Sequence, residues 1–167
     1  MSEEQNLRKF FDSDDEGMII MGLSMAKGFK LSDDIIPKIL GFSLWNDNAK
    51  IRSASRSLFF NNASNKYTEI IKKNWNTNIR TLKTKETVTS KLEPLVAAIS
   101  KTSLYSLDVF TPALFRKNPS KDHYEDPRRA IISIIENFGL SAEPFLMKVV
   151  KGENIDEYGY GVADSAL

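Results

Sequence analysis

The densest cluster of chemistry-bearing side chains in the chain is Asp12-Ser13-Asp14-Asp15-Glu16-Gly17. Asp12, Asp14, Glu16 and Gly17 fill the first, third, fifth and sixth places of an EF-hand-like calcium loop, in which oxygen ligands alternate and a glycine permits the sharp turn. The pattern fails at the twelfth place, where such a loop needs a bidentate carboxylate and this chain has Leu23. The run therefore reads as a solvated turn that caps a helix, because carboxylates at a helix start accept hydrogen bonds from free amides and complement the dipole. Ser24 and Lys27 have the Ser-x-x-Lys spacing that sets an amine beside a hydroxyl nucleophile. No partner motif follows, and an ordinary helix face is expected. His123, the single histidine, lies in a polar loop near Glu125 and Asp126, where it reads as a solvated side chain rather than half of an acid–base pair. With one His and no Cys, the chain has no multi-histidine or thiolate metal site, no cysteine nucleophile and no disulfide. No cofactor and no metal are expected.

Charge is the sharper signal for binding. The net charge of +1 conceals an uneven layout. Residues 1–34 carry eight acidic and four basic side chains, Lys50 to Lys91 carries ten basic side chains against Glu69 and Glu86, and the tail from Gly152 has four acids and no base. A partner responds to the local field of such a segment more than to the total. Arg56, Lys72, Lys73, Arg80 and Lys83 are the candidate binding residues. Lysine and arginine neutralise phosphates and release counterions, and the interleaved Tyr67 and Trp75 could stack on exposed bases. Both aromatics also fit the apolar stripe of a helix. Three readings stay open for the segment: a solvated face, a surface for an acidic protein partner, and a surface for nucleic acid.

These side chains need a scaffold, and the stretch from Ser32 to Ala63 supplies its unit. Ile35, Ile36, Ile39, Leu40 and Ser43 share one side at helical spacing, and Ile51, Ala54, Ser55 and Leu58 repeat that geometry after the turn Trp45-Asn46-Asp47-Asn48. Arg56 falls opposite this second stripe. Two apolar stripes cannot both be satisfied within one lone hairpin, so neighbouring hairpins must stack. A shift of 33 residues places Asp14 on Asp47, Phe11 on Leu44, Met18 on Ile51, Met21 on Ala54, Gly22 on Ser55 and Met25 on Leu58. The shift predicts a first hairpin with a short helix near Gln5 to Phe11, the acidic turn, and a longer helix to about Lys27, with Gly28 as its stop. Met18 to Ala26 spans only about half a bilayer and reads as a buried core helix.

Pro37 early in a helix, Asp47 in the turn, and Ile51-Arg52 with Ala54 and Leu58 resemble the pattern of HEAT and armadillo-type repeats. The resemblance implies that Asp47 and Arg52 form a structural link between adjacent repeats, and that the chain is a scaffold rather than an enzyme. DNA glycosylases built from HEAT-like repeats need an acid and aromatics converging on a flipped base, and Asp47 beside Trp45 is the nearest match.

Further along, Tyr67, Ile70, Ile71 and Trp75 suggest a third hairpin completed by a helix from Glu86 to Lys101. Leu104 to Phe115 and Pro127 to Phe138 suggest a fourth, and Ala142 to Val150 a capping helix. The expected fold is all-α, a right-handed α-solenoid of about four helical hairpins, a HEAT-like α-α superhelix. Residues 1–151 would form one domain and 152–167 an acidic, poorly ordered tail. The expected function is a non-catalytic, cytoplasmic binding module that engages an acidic protein partner through its basic surface. A nucleic-acid-binding protein or HEAT-like DNA-processing enzyme is the alternative, and a structural subunit of a larger assembly the second. No membrane association is expected, and the oligomeric state is left open.

Overall fold

Helix-period stripes separated by polar turns should give antiparallel helix pairs, and the computed structural model is built of such pairs. It describes residues 3–74 together with 97–99, 101–102, 106–109, 142–143 and 147. Among the described residues, five α-helices occur in order: α1 (Glu3–Phe11), α2 (Glu16–Ala26), α3 (Ile36–Trp45), α4 (Ala49–Asn62) and α5 (Asn65–Asn74), with a 3-10 turn at Leu107–Val109; residues 97–99 are also helical. There is no strand among the described residues, and the described part of the chain is all-α. No helix among them is long and apolar enough to cross a membrane.

Two of the turns are built the same way, 33 residues apart. Asp15 and Asn48 each have extended backbone and cap the helix that follows. The Asp15 carboxylate accepts hydrogen bonds from the amides of Gly17 (2.7 Å) and Met18 (3.1 Å), and the Asn48 side-chain oxygen accepts one from Lys50 (2.9 Å). Each cap is itself held from behind: the Asp15 amide donates to Ser13 Oγ at 3.1 Å, and the Asn48 amide to Asn46 Oδ1 at 2.9 Å. Each then accepts the first helical hydrogen bond on its carbonyl, from Ile19 (3.1 Å) and Arg52 (3.0 Å). Each such cap stabilises its helix by about 1 kcal/mol. Hence Asp15 and Asn48 carry the capping, one residue after the aligned pair Asp14 and Asp47.

The hairpins α1–α2 and α3–α4 stack with α2 on α4 and α1 beside α3. Phe11 and Phe42 meet edge to face, with ring centroids 6.1 Å apart. Two ion pairs join the same helices at their rim, Arg8 with Asp34 and Lys38 with Asp12. Helix α3 is enclosed: every residue from Ile36 to Trp45 is buried except Lys38. Its far side is covered by the Leu107–Val109 turn, which approaches so closely that a Cβ at Gly41 would lie 2.6 Å from the Asp108 carbonyl oxygen and 2.8 Å from that of Val109. Gly22 plays the matching part in the first hairpin, where a Cβ would meet Phe10 Cβ at 2.6 Å.

Three expectations need correction. Met18 to Ala26 is not buried all round: Ile19, Gly22, Leu23 and Ala26 face the core, while Met18, Met21 and Met25 are exposed. The 33-residue register fixes the turns but not the buried face of α2, which packs on α1 and α4 through Ile19, Gly22, Leu23 and Ala26, whereas α4 buries Ile51, Ser55, Leu58 and Phe59. Within the apolar stretch Leu104 to Phe115, residues 107–109 form a 3-10 turn rather than part of a hairpin helix. In the third unit, α5 buries Thr68 and Ile71 and packs Tyr67 on the core, with Ile99, Leu107, Val109 and Ala142 joining the same cluster. Of the expected helix Glu86 to Lys101 only 97–99 and 101 are described, and 97–99 are helical; the expected helix Pro127 to Phe138 and the tail 152–167 lie outside the described residues.

Leu58 is in the core and its neighbour Ser57 is exposed. Leu58→Ala should therefore cost about 2–5 kcal/mol, and Ser57→Ala less than about 0.5 kcal/mol, by urea denaturation. Equal costs would mean that α4 presents a different face to the core.

Candidate functional site

The basic segment begins on α4 and continues on α5, and a two-residue connection keeps these helices adjacent. Ala63 leaves the helix with extended backbone while its amide still donates to the Phe59 carbonyl at 2.8 Å. Ser64 then accepts from the amides of Tyr67 (3.0 Å) and Thr68 (3.1 Å), which starts α5. With Tyr67, Thr68 and Ile71 turned inward, Lys66, Glu69, Lys72 and Lys73 are left exposed.

The Lys72 ammonium sits over the ring of Phe60 on α4, 5.6 Å from its centroid, and is 3.3 Å from Glu69 Oε1. Phe60 is held in turn by an edge contact with buried Phe59, centroids 5.3 Å apart. A cation over an aromatic face at an exposed site contributes about 0.5–1 kcal/mol, and a helical ion pair at this spacing about 0.2–0.5 kcal/mol. These terms orient Lys72 on the surface shared by α4 and α5. Arg56 lies one turn before Phe60 on the same face of α4 and is exposed. The structure therefore brings Lys72 over a half-buried aromatic ring whose residue follows exposed Arg56 by one helical turn. Lys73 is on the adjoining line of α5, in register with Lys66 seven residues earlier. Arg80, Lys83 and Trp75 lie outside the described residues.

Arg52 has a different task. Its Nη1 donates to the carbonyl oxygens of Asn46 and Asp47, both at 2.8 Å, and so closes the turn between α3 and α4. Trp45, only 1% exposed, is a core residue and does not stand open beside Asp47. The acidic turn is also spoken for: Asp12 accepts from Lys38, Asp15 caps α2, and Glu16 accepts from Asn48 Nδ2 at 2.8 Å. Among the described residues no group of three or more His, Cys, Asp or Glu is placed to hold a metal ion.

Sequence reasoning missed several residues that position the site. The Glu16–Asn48 bond ties the first hairpin to the cap of the second. Asn62 at the end of α4 accepts from the Leu31 amide at 3.0 Å and donates to the Leu58 carbonyl at 2.9 Å, which fixes the inter-hairpin connection against α4. The signal for Asn62 was present as an amide residue at a helix end, where carbonyls lack partners. Phe60 was equally visible as the residue one turn after Arg56.

At the Arg8–Asp34 pair the fold shifts the titration of both groups. The Ser32 hydroxyl and then Arg8 donate to the Asp34 carboxylate and hold its pKa below the ordinary value, and the bond to Asp34 raises that of Arg8. A carboxyl whose pKa is lowered on folding stabilises the fold above the ordinary carboxylate range, and that contribution is lost as the pH falls through the folded value. The pair is largely exposed, so Asp34→Asn should cost less than about 1 kcal/mol at pH 7. The difference from the wild type should be smaller at about pH 2.5, because it is lost as the pH falls through the lowered Asp34 value. Urea denaturation at the two pH values measures it, and a gap unchanged in acid would remove the charge interaction from the account.

No family model matches the chain, and no curated protein and no solved structure matches it either.

Proposed function

We propose that the chain is a non-catalytic helical-hairpin binding module, and that the face carrying Arg56, Phe60 and Lys72 engages an acidic segment of a protein partner. The observation that carries this reading is the Lys72 ammonium over the half-buried Phe60 ring, with exposed Arg56 one turn before Phe60 on α4. Such a patch suits a carboxylate-bearing segment with an apolar residue, because the cations take the charge and the ring takes the apolar contact. Of the aromatics in the described part of the basic segment, Phe59 is buried and Phe60 and Tyr67 are half-buried against the core. Lys72 lies over the Phe60 ring, where a base would have to stack, which favours protein over nucleic acid. Lys73, with Arg80 and Lys83, extends the same positive segment.

The wider architecture belongs to the same proposal. Two stacked hairpins with duplicated caps are what a HEAT-like, right-handed solenoid of about four hairpins would contain. In such an array Asp47 and Arg52 would link neighbouring units, the second helices would line the binding face, and a cytoplasmic scaffold role would follow.

Fluorescein-labelled polyglutamate and labelled single- and double-stranded DNA and RNA, titrated at two salt concentrations, test the reading. Polyglutamate should bind the wild type, and Arg56→Glu combined with Lys72→Glu should weaken it about tenfold or more, a loss of about 1.4 kcal/mol. Tighter binding of a nucleic acid, with a log–log salt slope that drops by about one for each lysine replaced, would transfer the face to the alternative. Binding of polyglutamate indifferent to the double replacement would put the site elsewhere.

A further inference from the structure

Helix α2 is apolar on two sides, and only one of them is used. Ile19, Gly22, Leu23 and Ala26 pack on α1 and α4. On a separate stripe, Met18 (39%), Met21 (52%) and Met25 (43%) are exposed, and Phe29 (40%) continues the line just beyond the helix. The intervals of three and four residues are those of a coiled-coil seam, in which each side chain enters a gap on a facing helix. Methionine is suited to such a seam because its flexible thioether adapts to the partner surface. From Gly17 to Ala26 the helix has no charged residue to oppose a neighbour.

The charges at the two ends of the stripe identify the neighbour. Asp14 and Asp15 stand at the N-terminal end, and Lys27 and Lys30 at the C-terminal end. We infer that the Met18–Met21–Met25 stripe is a self-association seam, on which α2 of a second copy of this chain docks antiparallel. In that arrangement Met21 of one copy meets Met25 of the other, and the acidic end of each α2 lies beside Lys27 and Lys30 of its mate. A parallel pair would set like charges side by side. The antiparallel pair is isologous: one patch serves both copies and the assembly closes as a dimer. The basic face of α4 and α5 is a different surface, so the inference does not depend on the proposed function.

Sedimentation equilibrium of the full chain from about 1 to about 200 µM, the range in which a small interface assembles, is the test. The wild type should pass from monomer to dimer across that range. Met21→Glu with Met25→Glu should stay monomeric throughout while keeping its circular dichroism, since both side chains are exposed. Lys27→Glu with Lys30→Glu, which leaves the stripe intact but makes both ends acidic, should weaken the dimer about tenfold or more. A wild type that remains monomeric at the highest concentration would overturn the inference, as would a dimer indifferent to the methionine replacements. A monomer that instead binds a synthetic Leu-Lys amphipathic helical peptide through the same methionines would give the seam to a foreign helix and would equally overturn it.

Discussion

Everything described here depends on the enclosure of α3. A helix with nine of its ten residues buried has no solvated face, so it is stable only with neighbours on every side. It has α4 along one flank, α1 through Phe11 and Phe42 along another, and the Leu107–Val109 turn across Gly41. Lys38 is the exception that permits this, since its stem lies along apolar surface while its ammonium reaches Asp12 at the rim. The long-range contact at Gly41 is steric: backbone carbonyl oxygens occupy the space that any side chain would need, so the later segment and α3 are fitted to each other at main-chain level.

From that hub the binding face is positioned in two steps. Helix α4 is oriented by its cap at Asn48, by Arg52 on the carbonyls of the preceding turn, and by Asn62 at its far end. The two-residue connection then sets α5 beside α4, and Lys72 crosses to Phe60. None of these interactions is individually strong. Their effect is geometric, because they hold Lys72 over the Phe60 ring, one turn from Arg56, on helices whose apolar faces are already committed to the core. The exposed stripe of α2 follows from the same stacking: a terminal hairpin in the described array buries the face toward its neighbour and leaves the next face uncovered.

The parts of this arrangement that were legible in the sequence are those set by local chemistry. Apolar spacing gave α3 and α4 and the burial of Ile39, Ile51 and Leu58, and the 33-residue shift anticipated the duplicated turns around Asp15 and Asn48. Tertiary context was not legible. Met18, Met21 and Met25 share the spacing of the buried residues of α4, and periodicity alone does not distinguish a stripe that faces a neighbour from one that faces solvent. Phe60 escaped notice because its partner, Lys72, lies on another helix, and Asn62 because its bond to Leu31 spans two hairpins. Gly41 is a similar case, since the segment it accommodates is distant in the chain.

Amide hydrogen exchange followed by mass spectrometry tests the central claim most directly, because it reports the opening free energy of each helix separately. If α3 is the hub, its amides open only with the whole molecule, and peptides covering Ile36–Trp45 exchange more slowly than those covering α1 or α5. Exchange of the α3 peptides as fast as those of α1 and α5 would contradict the account, because a helix enclosed on all sides cannot open while its neighbours stay in place.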